Sequence, residues 1–418
     1  MSRGIGASLA HRNFRLFFSG QLVSLVGTWM QTVAQGWLVL TLTNDPLALG
    51  IVTACQFRPV LVFGLFGGLV ADALPKRPTL VVTQVVAMTL ALTLGLLTFT
   101  DSVQVWMVYL LAIGLGFVNA VEMPVRQSFV VEMVGRADVA NAVALNSAVF
   151  NGARVVGPAV AGLVIGVVGI AACFFLNAAS FLAVLIAYLL MRDSELLAAP
   201  RMAVAHTVRG VAEQVGEGVA YVRRTATVRL AIVTLGVVAT AGMNFSVLVP
   251  VYARDTLGGD ATTYGFLMAA TGVGSLACAL MIAAGLRPTR RLLVFGAAVL
   301  GASLVTLSAV QSVFVALPVM LLLGWAVIAI AATTNTIIQM TVPDRLRGRV
   351  MSIYTTVFAG SSPIGGLIAG AIAAAAGVAA ALFVGGAVAV GTAAVAGIRV
   401  RAMPSGQGGP RAASLEVG

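Results

Sequence analysis

Three charged side chains stand inside long apolar runs of the sequence, where their chemistry needs a specific explanation. Arg58 and Arg154 lie near the middle of two such runs, and Glu122 lies near the end of another. In a bilayer a charge at that depth opposes insertion by about 2.5–3.5 kcal/mol, so each should face a cavity or a partner. Either arginine can bind an anionic group of a solute. Alternatively it can pair with Glu122 or with helix carbonyls as a structural strut.

Glu122 is the one carboxylate that this reading places within an apolar run, about one turn from the run's end. It is therefore the candidate for a group that binds and releases a coupled proton. The alternative is a salt bridge with Arg126, which follows one helical turn later.

Further polar and aromatic side chains in the apolar runs predict a polar chamber between helices. Amides can hydrogen-bond a solute, and an indole can stack on a flat or lipophilic one. Taken singly, each of these residues is read as an interhelical hydrogen bond, but the set exceeds what a sealed bundle needs. The predicted chamber residues are Arg58, Arg154, Gln31, Gln35, Trp29, Asn119, Asn151, Asn244, Asn335 and Gln339.

The elements that position these residues are membrane helices. The chain has 418 residues, of which 60% are hydrophobic and 9% are charged, whereas a soluble domain carries about 25% charged residues. Its apolar runs continue for about twenty residues, which suits helices crossing a hydrocarbon core of about 30 Å rather than the alternating strands of a barrel. Twelve spans are predicted, near 14–41, 47–71, 79–100, 104–125, 138–166, 169–191, 229–253, 262–286, 290–310, 313–340, 349–375 and 378–398.

The basic residues predict the orientation. With both termini in the cytoplasm, all of the 25 Lys and Arg residues fall on the cytoplasmic side, except Arg58 and Arg154 within spans and Arg254 at an outer end. This is the positive-inside pattern of a multi-pass protein of the inner, cytoplasmic membrane. The net charge of +11 is thereby explained without a nucleic-acid partner.

Five segments follow from the same pattern. The polar interval carries valines at helical spacing from Val208 to Val222, which predicts an amphipathic helix along the cytosolic membrane surface, tethering two halves. The segments are a cytoplasmic tail (1–12), a six-helix bundle (13–191), the linker (192–228), a second six-helix bundle (229–399) and a disordered cytoplasmic tail (400–418).

The two halves repeat each other weakly, since Asp45 to Gly50 is echoed by Asp260 to Gly265. Six plus six spans with same-orientation repeats predict two bundles around a central path. Small residues four apart recur on spans two, five, eight and eleven. They allow helix backbones to approach closely, and for each pair alone ordinary packing explains them equally well. Their recurrence on these four spans, which the family resemblance described below implies line the interface between bundles, favours a moving interface.

A loop motif follows the second span, Gly67-Gly-Leu-Val-Ala-Asp72-Ala-Leu-Pro-Lys76-Arg77. A carboxylate beside basic residues and a facing helix N-terminus can form a charge latch between bundles. The predicted gate comprises Asp72, Lys76, Arg77 and Arg126. The motif resembles the loop signature of the major facilitator superfamily, from which it departs at Ala73 and Pro75. The alternative is a basic loop that serves topology only.

Further stretches resemble the exporter branch that contains the enterobactin exporter, macrolide efflux pumps and transmembrane secretion effectors. They are Pro124 to Glu132, Asn141 to Gly162, and Gln339 to Ser352. The resemblance covers roughly residues 10–400 and implies an all-α major facilitator fold. Gly157, Pro158 and Gly162 partly match its fifth-span antiporter signature. Tyr109 and Leu110 stand near the place of the fourth-span arginine that many proton-coupled relatives carry.

The sequence therefore predicts a secondary exporter of a small organic solute, working by alternating access and driven by proton antiport. We expect a monomer in the bilayer, with no cofactor and no metal. An importer or lipid carrier on the same scaffold is the alternative, and a non-transporting sensor or scaffold is a remote one. Two histidines, His11 and His206, and no phosphate-binding GxxxxGK[ST] loop argue against an enzyme or an ATP-driven pump.

Overall fold

The computed structural model describes residues 6–63, 74–197 and 208–403, and within them the regular elements are helices. Ten helices are long and apolar enough to cross a membrane. The longest, Val105–Val167, is broken at Gly135 (φ 71°, ψ 169°), so it forms two spans. Together with Arg12–Thr43, which lies outside those ten, the described chain has twelve membrane helices, the number that was predicted.

The amino-terminal bundle contains six of these helices. They are α1 (Arg12–Thr43), α2 (Pro46–Phe63), α3 (Lys76–Phe99), α4 (105–134), α5 (136–167) and α6 (Ile170–Leu189). The α1 helix lies at its centre because glycine lets neighbouring helices approach. A Cβ on Gly27 would stand 2.5 Å from Ser180 Oγ of α6, and a Cβ on Gly157 of α5 would stand 2.5 Å from Trp29 Cβ.

The carboxy-terminal bundle contains the other six. They are α7 (Ala226–Thr256), α8 (Ala261–Ala283), α9 (Arg290–Ala309), α10 (Val313–Thr341), α11 (Asp344–Ala376) and α12 (Val378–Ala402). The α7 helix is irregular, since its first segment ends at Gly242 and a second runs over Phe245–Val251. A π-helical turn, Tyr252–Thr256, completes it just after Pro250, which lacks a backbone donor.

A shorter helix, Val208–Arg224, joins the bundles, and its described side chains pack on the carboxy-terminal bundle. Tyr221 donates its hydroxyl to the Thr341 carbonyl (3.2 Å), and Arg349 pairs with Glu217. A Cβ on Gly218 would stand 3.2 Å from the Arg349 carbonyl. The predicted amphipathic helix is present, and the part whose side chains are described, from Val215 to Arg224, packs on α10 and α11. Its position along the membrane surface stays a prediction.

The inner end of α4 extends well beyond the predicted boundary at residue 125. Phe129 and Met133 of this extension are buried against Phe14, Phe17 and Tyr188, so a second apolar core forms where the sequence suggested a loop. The helix therefore continues to the break at Gly135. As a result Glu122 lies about 20 Å from that break at 1.5 Å per residue, rather than one turn from the end of its helix.

The bundles meet along two seams, α2 against α11 and α5 against α8. In the first, a Cβ on Gly50 would stand 2.5 Å from the Gly366 carbonyl. In the second, a Cβ on Gly265 would stand 2.5 Å from the Pro158 carbonyl, and one on Gly272 would stand 2.6 Å from the Arg154 carbonyl. Below, the side that the charge pattern predicts to be cytoplasmic is called inner and the opposite side outer.

The α5–α8 seam is closed at its outer end and open at its inner end. Backbones touch from Gly162 as far as Arg154. One turn further inward on the same face, Phe150 is 45% exposed. Every hydrogen bond that joins the two bundles within the described residues lies on the outer side. We interpret this difference between the two ends of the seam as a passage that opens inward.

Candidate functional site

Arg154 lies at the closed end of the inward-opening passage, over the ring of Trp29. The guanidinium carbon is 5.7 Å from the indole centroid. Phe150 meets the same indole edge-on, with ring centroids 5.7 Å apart at 68°. The arginine is half-buried and has no ion pair with any described residue. A cation–π contact of this kind holds a guanidinium in place without neutralising it.

The fifth-span element explains this placement. Gly157 lets Trp29 approach α5, as described above. Pro158 and Gly162 instead face α8, where a Cβ on Gly162 would be 3.0 Å from the Ala261 carbonyl. The three predicted packing residues thus hold α1 on one side of α5 and the partner bundle on the other, with Arg154 between them.

Polar groups of the other bundle stand on α10 and α11. Gln339 donates to Asn335 Oδ1 (2.6 Å), and Gln339 is exposed while Asn335 is half-buried. Tyr354 stacks on Phe358 with a centroid distance of 6.2 Å and an interplanar angle of 4°. This amide and aromatic group is suited to hold a flat solute. On α5, Asn151 donates to its own helix at the Ser147 carbonyl (2.8 Å).

Four other predicted chamber residues are placed within or beside helix packing. Gln31 accepts from Asn177 (2.6 Å) in the interior of the amino-terminal bundle, and Gln35 is buried on the same helix. Asn244 donates to the Thr240 carbonyl (2.8 Å) at the break in α7. Asn119 is half-buried and has no hydrogen bond to the described residues. Of the four, Gln31 makes the interhelical hydrogen bond of the alternative given above, whereas Asn244 bonds within its own helix.

Arg58 lies on a different face of α2 from the residues that form the seam with α11. Its side chain is exposed, and it lies about 140° around α2 from Thr53 at 100° per residue, the residue that contacts Gly366 in the seam. One turn along, Leu61 lines an apolar groove of about 770 Å³ formed chiefly by α7, α11 and α12. Arg58 has no ion pair within the described chain, and its role as a chamber residue stays a prediction.

Glu122 lies in a pocket between α1, α4 and α6. It is 9% exposed, and its Oε1 is 3.7 Å from Arg126 Nη1. Arg126 also donates to Gln21 Oε1 (3.0 Å), and the buried ring of Tyr188 packs nearby on Phe129. The sequence did not single out Gln21, since it lies 105 residues from Arg126. The pocket holds one acid, one base and one amide.

The described gate residues bond within the amino-terminal bundle and to the first residues of the linker. Lys76 pairs with Glu132 (2.6 Å). Arg77 pairs with Asp193 (2.6 Å) and donates to the Tyr188 carbonyl (2.9 Å) at the end of α6. Asp72 lies outside the described residues. A latch across the bundles stays a prediction.

The outer side is closed by contacts that the sequence did not reveal. Trp37 of α1 stacks on Tyr264 of α8, with centroids 6.2 Å apart at 23°. Thr262 donates to the Gly162 carbonyl (3.2 Å). The paired residues are far apart in the chain, and the motifs that contain Gly162, Thr262 and Tyr264 do not indicate these partners, so only the packing of α5, α1 and α8 brings them together.

Comparison with known proteins identifies relatives of this chain. Residues 4–414 match the family model described as transmembrane secretion effector. The chain is 31% identical to the multidrug efflux pump Tap of Mycolicibacterium fortuitum, covering 87% of this chain and 90% of that protein. It is 25% identical to the staphyloferrin A transporter of Staphylococcus aureus, covering 85% and 88%.

Among solved structures, the chain resembles an inward-facing, occupied bacterial homologue of the human lysosomal transporter Spinster. The TM-score is 0.72 at 13% identity, covering 93% of this chain and 96% of that one. The predicted major facilitator fold and the predicted resemblance are confirmed, as is the predicted class of function, a multi-pass exporter of small organic solutes. The chain belongs to the transmembrane secretion effector family of major facilitator transporters.

Proposed function

We propose that this protein exports its solute by alternating access in exchange for protons, with Arg154 and Trp29 as the central solute contact and Glu122 as the proton carrier. The observation that carries this proposal is the α5–α8 seam, which is sealed outside Arg154 and open one turn inside it. A solute entering from the cytoplasm would travel as far as Arg154 and stop there.

The composition of the site supports an electron-rich or anionic solute with a flat portion. Arg154 has no acidic partner among the described residues, and its charge is held by an indole. A carboxylate or phenolate of the solute would supply the missing countercharge and could accept two hydrogen bonds from the guanidinium. The Tyr354–Phe358 stack on the opposite bundle would contact the apolar part.

Glu122 supports the coupling role through its surroundings. The pocket lies inside one bundle, so a proton could be exchanged there without competing for the solute's space. Arg126 is 3.7 Å from the carboxylate and has an alternative partner in Gln21. Protonation of Glu122 would leave Arg126 bound to Gln21 alone. Because Gln21 lies on α1 and Arg126 lies on α4, this local change would alter the contact between the two helices.

The setting follows from the charge pattern. We place the protein in the cytoplasmic membrane with both termini in the cytoplasm, acting as a monomer without a cofactor and using the proton gradient. An importer or lipid carrier would use the same fold.

The test uses proteoliposomes with an imposed pH gradient and a panel of candidate solutes first screened in a pump-deficient strain. The wild-type protein should move solute against its gradient while protons flow the other way. Glu122→Gln should retain solute binding and exchange but lose acceleration by the gradient. Glu132→Gln is the matched control, because that carboxylate is paired with Lys76 near the inner end of α4, and it should remain coupled.

Unchanged gradient dependence in Glu122→Gln would show that another group carries the proton. Arg154→Gln should weaken binding of anionic solutes by roughly tenfold or more, since a charged hydrogen bond is worth about 1.5–3 kcal/mol. Arg154→Lys should recover only part of that loss, because an ammonium group cannot make the two parallel hydrogen bonds that a planar guanidinium makes to a carboxylate. Equal affinity in all three proteins would place the solute elsewhere.

A further inference from the structure

Arg254 is the single basic residue that the topology places at the outer side. It belongs to the π-helical turn at the end of α7, in the carboxy-terminal bundle. Its guanidinium nevertheless binds the amino-terminal bundle. Nη1 donates to Asn44 Oδ1 (2.6 Å) and to the Leu40 carbonyl (3.3 Å), both at the end of α1.

Both partners of this contact are fixed by their own bundle. On one side, Arg254 Nε donates to Asp255 Oδ1 (2.6 Å), and Tyr252 anchors the π turn by donating its hydroxyl to the Val310 carbonyl (2.8 Å). On the other, Asn44 ends α1 in a left-handed conformation (φ 55°) with its N–H bound to Leu40. The two anchored turns therefore meet through one side chain.

The end of α1 is also an electrostatically suitable receptor. The C-terminal end of a helix carries partial negative charge, which favours a cation. The Leu40 carbonyl accepts from Arg254 in addition to the Asn44 N–H. When the outer side opens, Arg254 must leave both acceptors, and no other described basic residue stands at this end to replace it.

We infer that Arg254 is the positioning residue of an outer gate, holding the bundles together outside while the passage opens inward. This inference rests on the alternating access proposed above, but it concerns neither the solute nor the proton. The gate is a cation on a helix C-terminus, and its strength should respond to the charge placed at residue 44.

The experiment measures how often the outer side opens. Val247 is fully buried in the outer half of α7, next to the α2–α11 seam. In a background without native cysteines, Val247→Cys should react with a membrane-impermeant maleimide added from outside only during opening. When closing is faster than reaction, the labelling rate is proportional to the open population.

Two substitutions on opposite sides of the gate should act in opposite directions. Arg254→Gln should raise the labelling rate roughly tenfold, because it removes the charged donor. Asn44→Asp keeps a residue type that tolerates the left-handed region and adds a full negative charge to the acceptor, so the rate should fall several-fold. In the combined variant the decrease caused by Asn44→Asp should disappear, because the two sites act through one contact.

Arg229→Gln is the matched control, since Arg229 stands at the inner end of the same helix and donates to the Arg223 carbonyl (2.7 Å). It should leave the outer labelling rate unchanged. Wild-type labelling rates in both Arg254→Gln and Asn44→Asp would overturn the gate. Additive effects in the double variant would also overturn it, by showing that the residues act separately. Because labelling needs neither solute nor a pH gradient, loss of proton coupling in other variants would not alter this result.

Discussion

Gly265→Ala should bias the transporter towards its outward-open form. The added Cβ would stand 2.5 Å from the Pro158 carbonyl and 2.9 Å from Gly162 Cα. Ordinary van der Waals contact needs about 3.4 Å or more. Because the clashing atoms belong to the backbone of α5, no side chain can rotate away, and α5 and α8 must separate by almost 1 Å. Overpacking of this kind costs about 1–3 kcal/mol.

The penalty applies mainly to the form in which the seam is closed. If the outward-open form separates α5 from α8 at this level, it avoids most of the clash. The outward-open to inward-open ratio should then rise roughly 5- to 150-fold, which corresponds to 1–3 kcal/mol. Solute export should slow because the protein returns to the inward-open form less often.

Double electron–electron resonance measures this ratio directly. Spin labels at Ser102 and Gln311 sit in exposed outer loops of the two bundles, and their separation should lengthen in Gly265→Ala. Gly152→Ala is the matched control on α5, since a Cβ there meets nothing within 4 Å. An unchanged distance distribution in Gly265→Ala, in a protein that folds normally, would refute the idea that this seam sets the equilibrium.

Three further outcomes are expected. Asp260→Ala should lower the free energy of unfolding by about 0.5–2 kcal/mol, because Asp260 Oδ1 accepts from Thr263 N (2.9 Å) at the start of α8. Asp260→Asn should retain most of this stabilisation, and urea unfolding in detergent measures both variants. That hydrogen bond lowers the pKa of Asp260 below its usual value. The stabilisation by the Asp260 carboxylate should therefore be present above about pH 4 and decline as the pH falls through the lowered pKa. A pH-independent difference in unfolding free energy between wild type and Asp260→Asn would contradict this. Trp29→Phe should weaken solute binding less than Trp29→Ala, since a phenyl ring keeps part of the cation–π contact with Arg154; equal losses in equilibrium binding would show that the ring acts only as packing.

The sequence predicted the membrane class, the number of spans and the small-residue seams, because these depend on hydropathy and on the room that glycine leaves. Gly162 and Gly370 illustrate this, since a Cβ would stand 3.0 Å from the Ala261 carbonyl and 2.8 Å from the Pro46 carbonyl, respectively. The extension of α4 was not predicted, because Phe129 and Met133 are apolar residues whose partners come from α1 and α6.

The candidate site was harder to predict than the fold. Arg58 and Arg154 both lie well inside apolar runs, yet Arg58 is exposed whereas Arg154 packs over Trp29. Which face of a helix is turned inward depends on its neighbours, and a span that is apolar all round does not indicate them. The position of Arg254 at the outer side was predicted but its contact was not, since its acceptor Asn44 is 210 residues away.

The docking of the Val208–Arg224 helix has a consequence for how the two bundles are coupled. Because Tyr221 and Glu217 bind α10 and α11, this segment travels with the carboxy-terminal half as a fixed attachment rather than as slack between two moving parts. A fluorophore on its exposed face would report the tilt of that half alone. An antibody fragment bound there would attach to the carboxy-terminal bundle alone and leave the amino-terminal bundle free to move.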